Sequence, residues 1–244
     1  METVLEVSKL TKLYKNKRGI HDIDFDIQKG DVFGFLGPNG AGKTTTMKII
    51  TGLCRADTGS VKIFGKDVTK SFEQAMENVG CIIETPDAYE YMSAINNLKM
   101  ISQFYDNIAD KDIEEALEMV GLLKYKKEKV GSFSLGMKQR LGLASAILPK
   151  PGLVILDEPA NGLDIEGTVD IRNTIKLLSE QRGTTFFISS HMVHEMELTC
   201  NKIAIINDGR LLCKGAVSEL LQGFDSLEDF FIQNVRKQRE IDLS

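Results

Sequence analysis

Asp31-Val-Phe-Gly-Phe-Leu-Gly-Pro-Asn-Gly-Ala-Gly-Lys-Thr-Thr45 begins as a short apolar run and closes as Gly37-x-x-x-x-Gly42-Lys43-Thr44. The run reads as a strand, and Thr44-Thr-Thr-Met-Lys-Ile-Ile50 as the helix that follows. A glycine loop between strand and helix is the setting in which phosphates are bound. Gly37, Gly40 and Gly42 let the backbone curl so that successive N–H groups face one anionic centre, and the helix N-terminus adds partial positive charge. Lys43 is spaced to reach the β- and γ-phosphates, and the Thr44 hydroxyl to sit on Mg²⁺. The competing reading is a glycine-rich turn that merely ends in Lys-Thr; the strand and helix on either side argue against it. The stretch predicts a site for a nucleoside triphosphate.

Leu153-Val-Ile-Leu-Asp157-Glu158-Pro159 is a second continuous apolar run, ending in two carboxylates. Such a run suits a strand covered on both faces of a parallel sheet, and ligands of open α/β sheets bind beyond the carboxyl ends of the strands. There Asp157 is expected to hold the Mg²⁺ shell, and Glu158 to orient and deprotonate an attacking water. An apolar run followed by Asp-Glu is weak alone and gains force downstream of a phosphate loop.

Three further stretches fall in a telling order. Tyr14 lies in Thr-Lys-Leu-Tyr-Lys; Ser132-Phe-Ser134-Leu-Gly136-Met-Lys-Gln-Arg precedes the carboxylates; Asn161-Gly-Leu-Asp164 and Ser189-Ser190-His191 follow them. Singly, Tyr14 is equally an ordinary half-buried aromatic and His191 a satisfied loop histidine. In this order, from about Leu5 to Leu220, the chain resembles the ABC ATPases, whose signature motif is Leu-Ser-Gly-Gly-Gln. The resemblance implies ATP and Mg²⁺ as cofactors, with Tyr14 stacked on adenine. It implies nucleotide contacts from Gly37, Pro38, Asn39, Gly40, Ala41, Gly42, Lys43, Thr44 and Thr45. Thr44 and Asp157 would serve the metal, and Glu158 and the switch histidine His191 the hydrolysis. It further implies a head-to-tail homodimer in which Ser134, Leu135 and Gly136 complete the partner's site and Asp164 lies at the junction. A separate transmembrane permease would carry the cargo.

Two departures from the family pattern stand out. The signature has Phe133, Leu135 and Met137 where Leu, Gly and Gln are usual. Where the family's Q-loop glutamine should follow the strand Val79–Ile83, this chain has Glu84. Both resemble the bacitracin- and lantibiotic-resistance subgroup of exporters. A carboxylate beside a triphosphate is repelled unless Mg²⁺ or a basic residue lies between them, so Glu84 is expected to report nucleotide state to the permease.

The expected fold is α/β: a phosphate-loop NTPase (RecA-like) core sheet, an antiparallel β subdomain at about 1–30, and an inserted helical signature subdomain at about 86–150. The ATPase domain is placed at 1–220 and a short helical tail at 221–244, the tail ending in the basic cluster Arg236-Lys237-Gln238-Arg239. Asn207-Asp-Gly209 predicts a hairpin. The net charge of −5 and pI near 5.4 argue against a general nucleic-acid binder. Cys54, Cys81, Cys200 and Cys213 form no C-x-x-C pair and read as small buried residues in a reducing compartment. With neither an apolar stretch of spanning length nor a secretion signal, the expected location is cytoplasmic, peripheral on the inner face of the membrane through the permease. The alternatives are a non-transport ABC ATPase of DNA repair or translation, in which a long coiled coil or a second domain is usual, and a phosphate-loop kinase or GTPase.

Overall fold

The computed structural model describes residues 2–16, 18–85 and 88–243, with side chains through residue 238. Pro86 and the extreme termini therefore lie outside the described residues, as does the side chain of Arg239. In chain order the elements are β1 (Thr3–Leu13), β2 (Gly19–Gln28), β3 (Val32–Leu36), α1 (Lys43–Ile50), β4 (Thr58–Ile63), β5 (Lys66–Asp67), α2 (Phe72–Met76) and β6 (Val79–Ile82). Then come α3 (Ala94–Ser102), α4 (Asp110–Met119) and α5 (Leu135–Ile147). The chain continues through β7 (Leu153–Asp157), α6 (Ile165–Arg182), β8 (Thr185–Ser190), α7 (Val193–Thr199), β9 (Lys202–Asn207), β10 (Arg210–Ala216), α8 (Val217–Leu220) and α9 (Leu227–Leu243).

Every residue of β3, β7 and β8 is buried, because these strands sit inside a sheet covered on both faces. The six-stranded sheet runs β10-β9-β3-β8-β7-β6, parallel throughout except at the β9–β10 edge. Successive side chains of one strand point to opposite faces, so each central strand feeds two cores. Val32, Leu36, Val154, Leu156, Phe186 and Ile188 face a core closed by α3 to α7 and by α9. Phe33, Phe35, Leu153, Ile155 and Phe187 face the other, closed by α1 and by the four-stranded antiparallel sheet β2-β1-β4-β5. Phe25 of β2 meets Phe33, Phe35 and Phe187 there at centroid separations of 5.3–5.5 Å. Burial of each such ring contributes about 1.5–3 kcal/mol, so this cluster clamps the antiparallel layer onto the parallel sheet.

The expected elements form. Asp208 and Gly209 both adopt left-handed backbone between β9 and β10, the two-residue turn whose twist suits a hairpin. The helical insert is α3 to α5: Ile113, Ala116 and Leu117 of α4 and Leu141 and Ala144 of α5 are buried in the same core. α5 ends at Ile147, just ahead of Pro149. Within 221–244 the helix is α9, which lays Leu227 and Phe230 into the main core. The cysteines depart from expectation: Cys200 is buried, its thiol pushed up to about 12 by desolvation, whereas Cys81 is exposed and Cys54 and Cys213 are half-buried. Cys81 is exposed because β6 is an edge strand.

Candidate nucleotide site

β8 lies between β3 and β7 in the sheet, with Leu36 beside Ser190 and Ser189 beside Asp157. The three segments leaving these strands therefore start side by side at one sheet edge: the glycine loop after Leu36, His191 after Ser190, and Glu158 after Asp157. Residues far apart in the sequence are gathered by strand order alone.

Helix α1 begins directly on the loop. Its N-cap is Gly42, in left-handed backbone (φ 109°), with no side chain bonded to the first-turn N–H groups and no acidic residue in that turn. A Cβ at Gly42 would stand 2.5 Å from Cγ2 of Ile20, so glycine is required by both φ and space. A helix end left uncapped by its own side chains has N–H donors to offer an anion.

Lys43 is buried, and its ammonium reaches Gly37 O (2.7 Å), Pro38 O (3.0 Å) and Glu158 Oε1 (3.1 Å). Those three acceptors match its three protons. The other carboxylate oxygen of Glu158 lies 2.9 Å from Nδ1 of His191. Glu158 has left-handed backbone (φ 49°), and its N–H donates to Ser189 O and Oγ. The Ser189 hydroxyl donates to Asp157 Oδ1 at 2.6 Å. Ser189 thus fixes both carboxylate-bearing residues, a role not assigned to it from the sequence. A serine interrupting a buried apolar strand was the available signal.

A cavity of about 230 Å³ opens over the loop, lined by Tyr14, Arg18, Gly19, Asn39, Gly40, Gly42, Lys43, Thr44, Thr45 and Glu158. Tyr14 is 45% exposed on its rim. Gly37 and Ala41 are buried in the loop, Pro38 is exposed, and Asp157 is buried beside Ser189. Arg18 is a cation of the rim that sequence reading missed; its place in the turn after Tyr14 was the only hint. Among the described residues, no cluster of three or more His, Cys, Asp or Glu side chains is able to hold a metal by itself. Thr44 offers a hydroxyl on the cavity lining and Asp157 a buried carboxylate, donors of the kind a magnesium ion takes alongside phosphate and water.

Ser134, Leu135 and Gly136 do not line this cavity. Ser134 is the exposed N-cap of α5, its Oγ accepting from Met137 N at 3.3 Å. Phe133 is buried in the main core. Leu135, half-exposed, lies against Gly162, where a Cβ would come within 3.1 Å of its Cδ2. Asp164 caps α6, its Oδ1 accepting from Gly167 N at 2.8 Å. Asp164→Ala is expected to cost about 0.5–2 kcal/mol, the value of an N-cap, read as a lower urea midpoint. Asp164→Asn, which keeps an accepting oxygen, should preserve it, and an equal loss in both variants would show that the cap is not the cause.

Glu84 also has left-handed backbone (φ 69°), and its carboxylate pairs with Lys48 Nζ at 2.5 Å. The basic neighbour that a carboxylate needs at this position is therefore present, contributed by α1. Tyr89 and Tyr91 beyond it are exposed and meet edge to face at 5.8 Å.

A family model described as ABC transporter matches residues 20–161. The bacitracin transport ATP-binding protein of Bacillus licheniformis is 41% identical over 212 residues, covering 87% of this chain and 69% of that protein. The lantibiotic transport ATP-binding protein of Streptococcus pyogenes is 36% identical over 228 residues, covering 93% and 96%. A solved ATP-binding subunit of an ABC transporter superposes with a TM-score of 0.84 at 27% identity, covering 95% of this chain and 99% of that one.

Proposed function

The chain belongs to the ABC transporter family as an ATP-binding ATPase, and from that premise we propose that it powers the export of peptide antibiotics. The similarity to bacitracin and lantibiotic transport ATP-binding proteins supports this cargo class. The carrying observation is the set Lys43–Glu158–His191 at the mouth of the phosphate loop. An arriving triphosphate takes the ammonium of Lys43 by charge-assisted hydrogen bonds and so displaces Glu158. The carboxylate, still held by His191, is then free to accept a proton from water as it attacks the terminal phosphate. The uncapped start of α1 and Lys43 bind the phosphates, Tyr14 takes the base, and Thr44 and Asp157 hold Mg²⁺. Mg²⁺, when bound, would supply charge that neutralises the phosphates; this chain's residues position the phosphates and the water, and Glu158 takes the proton.

The cavity is smaller than the roughly 300–1,000 Å³ of enclosed small-molecule sites, which supports a second copy as its missing wall. In a head-to-tail homodimer, Ser134, Leu135 and Gly136 bring an exposed helix N-terminus to the partner's nucleotide, with Asp164 near the junction. Among the described residues no helix is long and apolar enough to cross a membrane. In this reading the membrane work is done by a separate permease, on whose inner face this chain sits peripherally. The Glu84 loop and the exposed Tyr89 and Tyr91 suit the contact with it, since aromatic residues are enriched at interfaces. In α3 to α5 the helical insert has three short helices, not the long coiled coil of repair relatives.

The test pairs two measurements: ATPase rate of the purified chain, and resistance to bacitracin or a lantibiotic in cells that co-express the permease. Membrane recovery of the chain and resistance should both require the permease. Glu84→Gln is expected to keep the purified ATPase within a few-fold while resistance falls. If both drop about a hundredfold, the scale of a lost acid–base group, Glu84 belongs to hydrolysis; if neither changes, it has no coupling role.

A further inference from the structure

β1 pairs with β4 as far as Thr11, which stands opposite Thr58. Lys12 and Leu13 run on beyond that register, paired on their other side with Ile20 and Gly19 of β2. Leu13 and Tyr14 are both exposed, so packing contributes little to where Tyr14 stands. Tyr14 N–H donates within its own turn, to Arg18 O, which does not tie that turn to α1. A side chain takes over where the β4 ladder stops. Asp57, the residue before β4, donates its N–H to Thr11 O (2.8 Å) and accepts from Leu13 N through Oδ2 at 2.7 Å. Its other oxygen meets Lys12 Nζ at 2.8 Å. The Leu13 N–H first, and Lys12 second, hold the Asp57 carboxyl below the usual carboxylate range. Asp57 belongs to the segment that leaves α1, and earlier in that segment Cys54 Sγ lies 4.0 Å from the Tyr14 hydroxyl. One short segment, running on from the helix that opens on the phosphate loop, therefore reaches Tyr14 at its hydroxyl and through the residue just before it.

We propose that Asp57 is a positioning residue for ATP binding: it supplies the acceptor that β4 no longer offers to β1, and so sets Tyr14 at a fixed reach from α1. The inference rests on the reading of Tyr14 as the platform of the base. Base and phosphates belong to one molecule, so platform and phosphate loop help each other only at a fixed separation. Holding the platform in place before the nucleotide arrives spares the cost of ordering it on binding. A backbone N–H bonded to a carboxylate is charge-assisted, whereas an exposed ion pair such as Lys12–Asp57 contributes little on its own. The bond to Leu13 carries the role, and the lysine is an accessory.

Two probes separate base from phosphates: ATP and inorganic tripolyphosphate, each titrated with Mg²⁺ into the full chain by calorimetry. Tyr14→Ala is expected to weaken ATP about tenfold, within the range of base–aromatic stacking, and to leave tripolyphosphate within about twofold. Asp57→Ala should weaken ATP about three- to fivefold, a part of the same effect, with tripolyphosphate again unmoved. In the ATPase assay it should raise KM while kcat holds, the mark of lost uniform binding. Asp57→Asn keeps an oxygen for the Leu13 N–H and should bind ATP as the unaltered chain does, and so should Lys12→Gln. Tyr14→Ala combined with Asp57→Ala should bind ATP no more weakly than Tyr14→Ala alone, since both act through one contact. Retained tripolyphosphate binding also shows that each variant is folded. A silent Asp57→Ala, an equal loss for both probes, an Asp57→Asn or Lys12→Gln as weak as Asp57→Ala, or additive losses in the double variant would each overturn the proposal while Tyr14 keeps its role. ATP affinity unmoved by Tyr14→Ala would instead remove the base platform itself, and the proposal with it.

Discussion

Glu158→Gln should lower ATP turnover by about 10²–10⁴-fold, the contribution of a positioned general base, while ATP still binds. The amide keeps the shape but loses the proton affinity. It also loses its charge toward Lys43, 3.1 Å away, so the lysine is released to the phosphates without an ion pair to break. The altered protein is therefore expected to bind ATP at least as tightly and to accumulate as an ATP-bound dimer in size-exclusion chromatography. Phosphate release at the unaltered rate would remove Glu158 from the chemistry. A slow enzyme that stays monomeric with ATP would keep the base and sink the dimer.

Lys43→Ala should fail at an earlier step. The ammonium serves Gly37 O, Pro38 O and Glu158 together, and its loss takes away the cation that meets the phosphates. Hydrogen bonds to charged groups contribute about 1.5–3 kcal/mol, which corresponds to roughly a 10- to 150-fold weaker dissociation constant for ATP. Titration calorimetry reads this directly. The two variants should separate cleanly: slow with ATP held for Glu158→Gln, and weak binding for Lys43→Ala. An affinity for ATP within twofold of the unaltered chain would show that the lysine is a structural brace of the loop and no more.

Much of this arrangement was readable from residue order because its parts are local. The apolar runs before Gly37 and after Pro151 state two buried strands, and glycine spacing states the loop. Asn207-Asp-Gly209 states a hairpin through backbone preference alone. What could not be read depends on which strands become neighbours. Ser189 bonds Asp157 only because β8 pairs with β7. Lys48 meets Glu84 across 36 residues, through a side chain that in sequence is one more polar position on a helix. Edge position, which exposes Cys81, is likewise a property of sheet order. The carboxylate at 84 did announce that it needed a cation, though not which one.

Strand order also has a consequence for how the chain is made. Val32 pairs with Phe186, a separation of 186 − 32, so the central strand beside the phosphate loop waits for about 150 more residues to leave the ribosome. At synthesis rates of 5–20 residues per second, that is roughly 8–30 s. Until then neither parallel neighbour of β3 is present, because β9 follows β8. The early partner it does have is Phe25, already synthesised, whose ring stacks on Phe33. The nascent antiparallel layer can therefore shield one face of β3, leaving Val32 and Leu36 on the other as the apolar surface that a ribosome-bound chaperone would meet.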